Sequence, residues 1–192
     1  MNMENKKTVG LAFTGSYCTF SKVLNEAVVL SEKYNLIPIL SDNCLKTDTR
    51  FGTADEFVGK IEDICHNSAM KSIKDAEPIG PKKLLDVLLI APCTGNTIAK
   101  IANGIADTTV TLAVKSQLRI NRPIVIAVST NDGLGANAVN IGKLLARKNM
   151  YMVPFGQDDC VGKENSLVAD FSMMSATIEK ALEGKQIQPV LV

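Results

Sequence analysis

The stretch of residues 84–110 restricts the fold more than any other part of the chain. It contains a continuous apolar run at 87–91, which is typical of a strand that is buried on both faces. Pro92 follows this run and has no N–H to donate, so we expect the strand to end there. After a short polar turn, apolar residues recur at the spacing of one helix face: Ile98, Ile101, Ala102 and Ile105. The stretch therefore predicts a buried strand that turns directly into a helix N-terminus, which is where a doubly wound sheet binds anionic ligands.

Short apolar runs and helical patterns alternate along the rest of the chain. We expect further strands at 8–13, 36–40, 123–128 and 151–155, and helices at 20–34, 110–118, 134–148 and 166–182. Another helix begins at a capping box, in which Thr53 and Glu56 have the required spacing. This alternation predicts an α/β fold, a three-layer doubly wound parallel sheet of the Rossmann-like type. Residues 1–192 are expected to form one domain, with a core at about 7–182, a tail at 183–192 and polar loops at 42–53 and 156–165.

Polar residues follow four of the predicted strands, at the points where those strands end. They are Gly15 and Ser16, then 41–43, 93–97 and 129–131. Because right-handed crossovers bring the carboxyl ends of parallel strands to one edge of the sheet, these residues are expected to outline one crevice. Its hydroxyls, amides and helix N-termini would suit an anionic cofactor such as a nucleotide. The glycines at 10 and 15 do not have the G-x-G-x-x-G spacing, so the dinucleotide-binding fingerprint is not met.

The composition excludes several other classes of function. The formal net charge is +1, which provides no basic surface for nucleic acid or for an anionic membrane. No apolar run approaches the ~20 residues that cross a bilayer, and no apolar segment follows the charged residues near the start, so we expect a cytoplasmic protein. Five widely spaced cysteines and one histidine form neither a metal-binding pattern nor a disulfide framework.

Two potentially reactive side chains have alternative explanations. Cys93 comes just before the predicted helix N-terminus, where a positive dipole end lowers the pKa of a thiol, but a small residue that fits the turn is the other explanation. His66 lies at the end of the helix that the capping box begins. It either stabilises the helix dipole or acts as a catalyst, and no partner for catalysis is evident. The catalytic residues are therefore left unassigned.

The run 91–107, APCTGNTIAKIANGIAD, resembles the signature A-P-x-S/T-A-N-T-x-x-K-x-A-x-G-x-x-D of the homo-oligomeric flavin-containing cysteine decarboxylases. The resemblance extends over about residues 7–182 and implies the fold of that family, a homo-oligomer and an FMN cofactor. It implies that Gly15, Ser16 and Ser41 lie near the FMN phosphate. It also implies a set of residues near the flavin and at the next strand exit: Pro92, Thr94, Gly95, Asn96, Thr97, Ser129 and Asn131. Asp107 would support an oligomer contact or the turn beside the site.

Three departures separate this chain from the decarboxylases. Gly95 replaces the usual alanine of the signature. Pro78 stands where the family has a catalytic histidine, eight residues before the aspartate that corresponds to Asp86, and proline neither takes nor gives a proton. The substrate-clamping segment P-x-M-N-x-x-M-W is represented by VSTNDGLG at 128–135, in which only Asn131 survives. Decarboxylase chemistry is therefore not expected.

Segments 10–19, 91–96 and 155–159 resemble one branch of this family, from spore-forming bacteria, whose members act as one subunit of an oxidoreductase. The resemblance implies a separate A subunit that binds NADP. It implies that the two subunits together oxidise a small dicarboxylate, dihydro- or hydroxytetrahydrodipicolinate, to dipicolinate during sporulation. Asn96 and Asn131 would bind a carboxylate or the pyrimidine edge of the flavin. The polar segments 42–52 and 156–165 are the candidate contact surfaces for the A subunit.

Two other functions remain open from the sequence. The first is a non-catalytic subunit whose crevice binds substrate or flavin while the partner carries out the chemistry. The second is an FMN-dependent decarboxylase of the phosphopantothenoylcysteine type, against which Pro78 argues. Loss of FMN is also open, because phosphate-binding turns can persist after the cofactor is no longer used.

Overall fold

A mixed seven-stranded sheet forms the centre of the computed structural model, which describes residues 6–192. The strands are β1 (Thr8–Phe13), β2 (Asn35–Leu40), β3 (Val87–Cys93), β4 (Ile124–Thr130), β5 (Met150–Met152), β6 (Phe155–Asp159) and β7 (Lys163–Ala169). The α-helices are α1 (Phe20–Lys33), α2 (Asp42–Lys46), α3 (Ala54–Cys65), α4 (Ile73–Ala76), α5 (Gly95–Ala102), α6 (Thr109–Arg119), α7 (Ala138–Leu145) and α8 (Met174–Leu182). Short 3-10 turns occur at Tyr17–Thr19, Glu77–Ile79 and Phe171–Met173.

The first five strands are parallel, and their pairing brings the exits of β1, β3 and β4 to one edge. The order is β2-β1-β3-β4, and the first half of β4 continues to β5. The carboxyl end of β4 then changes partner: Ser129 and Thr130 pair with the antiparallel strand β7, which forms a hairpin with β6. The hairpin therefore lies beside the edge at which the parallel strands end.

Helices flank the sheet, and its central strands are buried on both faces. Every residue of β3 is buried, and so is all of β4 except Thr130. Continuous apolar sequence predicts this environment, because a strand covered on both faces has no solvent side on which polar residues would alternate. The predicted α/β class is confirmed, and the sheet is mixed rather than entirely parallel. None of the helices in the described part of the chain has the length and hydropathy that a membrane span requires.

The strand predicted to stop at Pro92 continues through it to Cys93. The register between β3 and β4 shifts between Ile90 and Cys93, and pairing resumes where Cys93 meets Val128. Pro92 therefore lies in an irregular part of the ladder, where its lack of an N–H costs no regular hydrogen bond. The prediction of a strand end at Pro92 is wrong for this reason.

The largest error of the sequence interpretation lies after residue 150. The predicted strand at 151–155 is divided between β5 and β6, and the predicted loop at 156–165 is the outer half of the hairpin. The predicted helix at 166–182 is wrong in its first part, which belongs to β7. Asp170 ends that strand by accepting a hydrogen bond from the backbone N–H of Ser172 (3.1 Å), and α8 follows.

Three smaller differences concern segments that connect these elements. The loop predicted at 42–53 contains the short helix α2, and the helix predicted at 134–148 is confined to α7, after a series of turns. The tail packs on its own sheet. The side-chain oxygen of Gln186 accepts from Met152 N–H (2.7 Å), and Val192 N–H donates to Phe155 (3.2 Å). The tail therefore covers part of the β6 edge.

Candidate functional site

The exits of β1, β3 and β4, the segment around Phe51 and the hairpin enclose a crevice of about 930 Å³. Seven of the ten residues predicted to bind a cofactor line it: Gly15, Ser16, Thr94, Gly95, Asn96, Ser129 and Asn131. The volume is in the upper part of the range of about 300–1,000 Å³ that is usual for ligand sites. The sheet thus brings residues that are more than 100 positions apart in the chain to one cavity.

The other three predicted residues lie beside the crevice without lining it. The Ser41 hydroxyl lies 3.3 Å from Cys44 Sγ, at the start of α2. Pro92 is buried in β3, and Thr97 is buried in the first turn of α5, with its hydroxyl 3.2 Å from that of Thr94. None of the three residues lines the crevice, so their contact with a ligand remains a prediction.

Three hydrogen bonds made by side-chain hydroxyls join the strand exits. Thr14 is buried; its hydroxyl donates to the carbonyl of Pro92 (2.7 Å) and accepts from the N–H of Thr94 (2.9 Å). Ser16 Oγ lies 2.8 Å from Ser129 Oγ, which connects the exits of β1 and β4 past the end of β3. Sequence reasoning missed Thr14, although its position directly before Gly15 was a usable signal. The three exits are therefore held in fixed relative positions.

Two helices begin at the crevice without a side-chain cap. Thr19 precedes α1 and Thr94 precedes α5, and neither side chain accepts a hydrogen bond from its helix. By contrast, α3, α4 and α6 begin with complete capping boxes at Thr53, Ser72 and Thr108. First-turn N–H groups that neither a side chain nor a preceding turn satisfies are available to an anionic ligand. In α1 the N–H of Phe20 already donates to the carbonyl of Tyr17 in the 3-10 turn before it. The crevice therefore offers the free electropositive end of α5, beside the turn that leads into α1.

Charged residues surround the crevice, and most come from segments that the sequence interpretation treated as loops. Lys22, Arg50 and Lys163 contribute positive charge. Lys163 Nζ lies 2.6 Å from Asp158 Oδ2, and this hydrogen-bonded ion pair raises the pKa of the lysine. The guanidinium of Arg50 lies 4.9 Å from the centre of the Phe51 ring. Three cations against two carboxylates leave the lining slightly positive, which favours an anionic ligand.

The second carboxylate, Asp132, lies against the start of α5. Asp132 Oδ1 accepts a hydrogen bond from Thr130 Oγ1 (2.5 Å), and its Oδ2 accepts one from Asn137 Nδ2 (2.8 Å). A Cβ placed on Gly95 would come within 2.7 Å of Asp132 Oδ1, so the carboxylate occupies space that only glycine leaves free. Sequence reasoning did not single out Asp132. The available signal was its position in the segment 128–135, which differs from the substrate-clamping segment of the decarboxylases.

Cys93 and His66, the two side chains considered above as reactive, both lie outside the crevice lining. Cys93 is fully buried, and burial raises the pKa of its thiol, so the suggestion of a lowered pKa is wrong. Burial also raises the pKa of Cys44 to about 11. Cys18 is exposed and lines the crevice. His66 adopts a left-handed conformation (φ 51°) just after α3, outside the crevice lining.

Asp107 lies in the turn that follows α5. Lys100 Nζ donates to its carboxylate (2.9 Å), and this contact holds the pKa of Asp107 below its ordinary value. Its contribution to the turn is therefore clear, while an oligomer contact remains a prediction. Within residues 6–192, no group of three or more histidine, cysteine or acidic side chains is arranged to hold a metal ion.

The donor set of the crevice fits a phosphorylated flavin. Hydroxyls, the uncapped N-terminus of α5 and nearby lysines match the needs of a phosphate. Phe51, Leu167 and Val168 add apolar surface for a flat ring. Asparagine side chains at 96 and 131 supply donors and acceptors for the polar edge of such a ring.

Comparison with known proteins assigns the family. A protein-family model described as Flavoprotein matches residues 1–174. The chain belongs to the flavoprotein family. It is 46% identical over 193 residues to the B subunit of dipicolinate synthase from Bacillus subtilis (strain 168), covering 100% of this chain and 96% of that protein. The crystal structure of the dipicolinate synthase B subunit from Bacillus halodurans matches with a TM-score of 0.90 at 44% identity, covering 100% of this chain and 98% of that one.

More distant members share the flavoprotein fold. The FMN-dependent cysteine decarboxylase SpaF matches with a TM-score of 0.66 at 20% identity, covering 93% of this chain and 96% of that one. A likeness at this level of identity establishes the common fold alone. The family resemblance seen in run 91–107 is thus confirmed, and family membership supports a flavin cofactor.

Proposed function

We propose that this protein is the B subunit of a dipicolinate synthase, which acts in the cytoplasm with a separate A subunit. Together they would oxidise a dihydro- or hydroxytetrahydrodipicolinate to dipicolinate during sporulation. The observation that carries this proposal is the 46% identity to the Bacillus subtilis protein, which extends over the whole chain. The slightly positive crevice supports it, because a dicarboxylate substrate needs cationic and amide donors.

The lining residues would divide between cofactor and substrate. Gly15, Ser16 and the N-terminus of α5 would hold the phosphate of FMN, and Asn96 would face the flavin. A flavin, when bound, accepts the two electrons that an aromatising oxidation releases. Arg50 and Lys163, near the hairpin and the segment around Phe51, would bind the substrate carboxylates and orient the ring. NADP held by the partner subunit is the second acceptor that this proposal includes.

The A subunit would dock across the mouth of the crevice, and the B subunit would form a homo-oligomer as the family resemblance implies. The two candidate contact segments, 42–52 and 156–165, both contribute lining residues at the mouth. Each also exposes a large apolar side chain: Phe51 is 54% exposed and Val161 is 85% exposed. Solvent-exposed apolar side chains on both sides of a cavity favour a partner that covers it. Replacing either segment with a short linker should abolish co-purification with the A subunit.

Reconstitution with the A subunit of the same organism tests the proposal. The two chains are co-expressed, purified together and supplied with the dihydrodipicolinate substrate and NADP, and dipicolinate is measured by the luminescence of its terbium complex. Each subunit alone serves as the control. We expect dipicolinate from the pair at a rate that neither subunit reaches alone. A pair that co-purifies and forms no dipicolinate would contradict the proposal.

A visible spectrum of the purified protein, before and after addition of FMN, separates the catalytic function from a non-catalytic one. Flavin absorption that survives gel filtration supports a redox role for the crevice. A colourless protein that does not bind FMN favours the binding function, with oxidation by the partner. Decarboxylation is not supported, because Pro78 lies in the 3-10 turn Glu77–Ile79 and does not line the crevice.

A further inference from the structure

The crevice contains a carboxylate that is held firmly and has no cationic partner. Each oxygen of Asp132 accepts one hydrogen bond, from Thr130 and from Asn137 respectively. A carboxylate oxygen has two acceptor positions, so each oxygen keeps one position free. No ion pair within residues 6–192 includes Asp132, whereas Asp158, the other carboxylate of the lining, is paired with Lys163.

Asn137, whose amide donates to Asp132, does not cap the helix that it precedes. Asn137 precedes α7 at the position where asparagine commonly caps a helix, but its side chain makes no cap bond. Its amide donates to Asp132, and its side-chain carbonyl accepts from Asn140 Nδ2 (3.0 Å). Asn140 Oδ1 in turn accepts from Asn103 Nδ2 (3.4 Å). Since Asn137 is only 6% exposed, this chain of amides fixes its orientation and directs the donor to the carboxylate.

The other ionisable groups of the lining are less suited to accept a proton from a substrate. Lys22, Arg50 and Lys163 carry positive charge, and the ion pair with Asp158 keeps Lys163 protonated. Tyr17 and Cys18 also line the crevice. A phenol or a thiol ordinarily holds its proton near neutral pH, and Tyr17 Oη already donates to the carbonyl of Asn43 (3.0 Å). His66 lies outside the lining, and Pro78 has replaced the histidine of the family. An aromatising oxidation must nevertheless release one proton for each hydride that it transfers. The crevice therefore needs a base, and Asp132 is a carboxylate that lines the crevice and keeps acceptor positions free.

We propose that Asp132 is the general base of the oxidation; this assignment rests on the proposed function. The dihydropyridine ring would lose one hydrogen, with its electron pair, as hydride to a two-electron acceptor, which is the chemistry that a bound flavin or the partner's nicotinamide would supply. The Asp132 carboxylate takes the hydrogen of the neighbouring ring position as a proton, and the electron pair of that broken bond becomes the last double bond of the aromatic ring. The resulting carboxylic acid returns its proton to water, so charge and electrons balance.

Substitution in the reconstituted two-subunit complex tests this assignment. Asp132→Asn keeps the size of the side chain and removes the base, and we expect kcat to fall by about 100-fold or more, because a positioned base contributes roughly 10²–10⁴-fold. The KM of the complex should change by less than about threefold. The affinity of this chain alone for dipicolinate, measured by calorimetry, should change equally little. Asp63→Asn, an exposed aspartate on α3, is the matched control and should keep the wild-type rate.

Chemical rescue provides the readout that a purely structural role would not affect. In Asp132→Ala, added formate or acetate should restore part of kcat in proportion to the concentration of the small carboxylate. Asn137→Ala should lower kcat about 10-fold without changing dipicolinate affinity, because it disturbs the orientation of the base and leaves the base in place.

The outcomes separate this assignment from the proposed function. An active wild-type complex with an equally active Asp132→Asn variant overturns the assignment alone. Loss of dipicolinate affinity together with kcat, without rescue in Asp132→Ala, also overturns it and makes Asp132 a binding residue. A wild-type complex that forms no dipicolinate overturns the proposed function and the assignment together.

Discussion

Replacing Gly95 with alanine should destabilise the protein, although alanine is the residue that the family signature has at this position. A Cβ on Gly95 would lie 2.5 Å from Thr130 Oγ1, 2.6 Å from Asn137 Nδ2 and 2.7 Å from Asp132 Oδ1. No carbon can approach three polar atoms so closely, so the hydrogen bonds around Asp132 must rearrange.

The expected change in the free energy of unfolding combines two destabilising contributions with one stabilising contribution. Overpacking of this kind costs about 1–3 kcal/mol, and each hydrogen bond to the carboxylate that is lost or lengthened adds up to about 1.5–3 kcal/mol. Alanine recovers at most about 1 kcal/mol, because it is a better helix residue than glycine. We expect a net loss of about 2 kcal/mol in the free energy of unfolding. For a chain of this size, that corresponds to a fall in Tm of roughly 4–8 °C.

Two other helical glycines provide matched controls. Gly59 in α3 and Gly142 in α7 have no atom within 4 Å of the position of an added Cβ. Alanine at either position should raise the free energy of unfolding by about 0.5–1 kcal/mol. Urea unfolding followed by circular dichroism measures all three variants. If Gly95→Ala is stabilised as much as the controls, the packing of Asp132 against α5 is refuted.

A double variant isolates the interaction between the two positions. Once Asp132→Ala has removed the carboxylate, Thr130 and Asn137 have room to move, and the alanine at position 95 should cost less. The double variant should therefore be at least about 1 kcal/mol more stable than the sum of the single effects, as expected for residues in contact. If the effects of the two single substitutions are additive, the alanine at position 95 does not clash with the Asp132 carboxylate.

Two further predictions concern thiols and pH. A thiol reagent should label Cys18 and Cys160 in the folded protein and leave Cys93 unlabelled until unfolding, as judged by mass spectrometry of peptides; early labelling of Cys93 would contradict its burial. Backbone N–H groups donate to Glu56 and Glu62 and hold the pKa of both below the ordinary value of 4.5. Because the folded pKa is the lower one, this stabilisation is complete above pH 4.5 and is lost as the pH falls through the folded pKa. Urea unfolding from about pH 6 to about pH 3 should show less dependence on pH when both residues are glutamine.

The parts of the fold that depend on local sequence were predictable. The apolar runs of β1, β3 and β4 indicate buried strands because burial on both faces leaves no polar positions in them. The capping box at Thr53 predicts the exact start of α3, because both of its hydrogen bonds join residues 53 and 56, which are close in the sequence. The strand exits then converge for topological reasons, which is why seven predicted residues share one cavity.

The hairpin was not predictable by the same means. Most of β6 is exposed on both faces, so it has no apolar alternation that distinguishes a strand from a loop. In β7, Leu167 stands four residues before Phe171, and this spacing imitates the helical period that α8 continues. The pairing of Ser129 and Thr130 with β7 is a contact across more than 30 residues, and local sequence contains no signal for it. Lys163 was missed for the same reason.

Two of the departures from the decarboxylase pattern, at position 95 and in the segment 128–135, are in contact in this structure. Glycine at position 95 frees the space that the Asp132 carboxylate occupies, and Asp132 belongs to the segment that has lost the family clamp. Pro78 removes a proton acceptor at a position that does not line the crevice. The polar residues that line the crevice at the strand exits include Ser16 and Asn96. A side chain at position 95 would clash with Thr130, Asn137 and Asp132, so the glycine and the held carboxylate depend on each other.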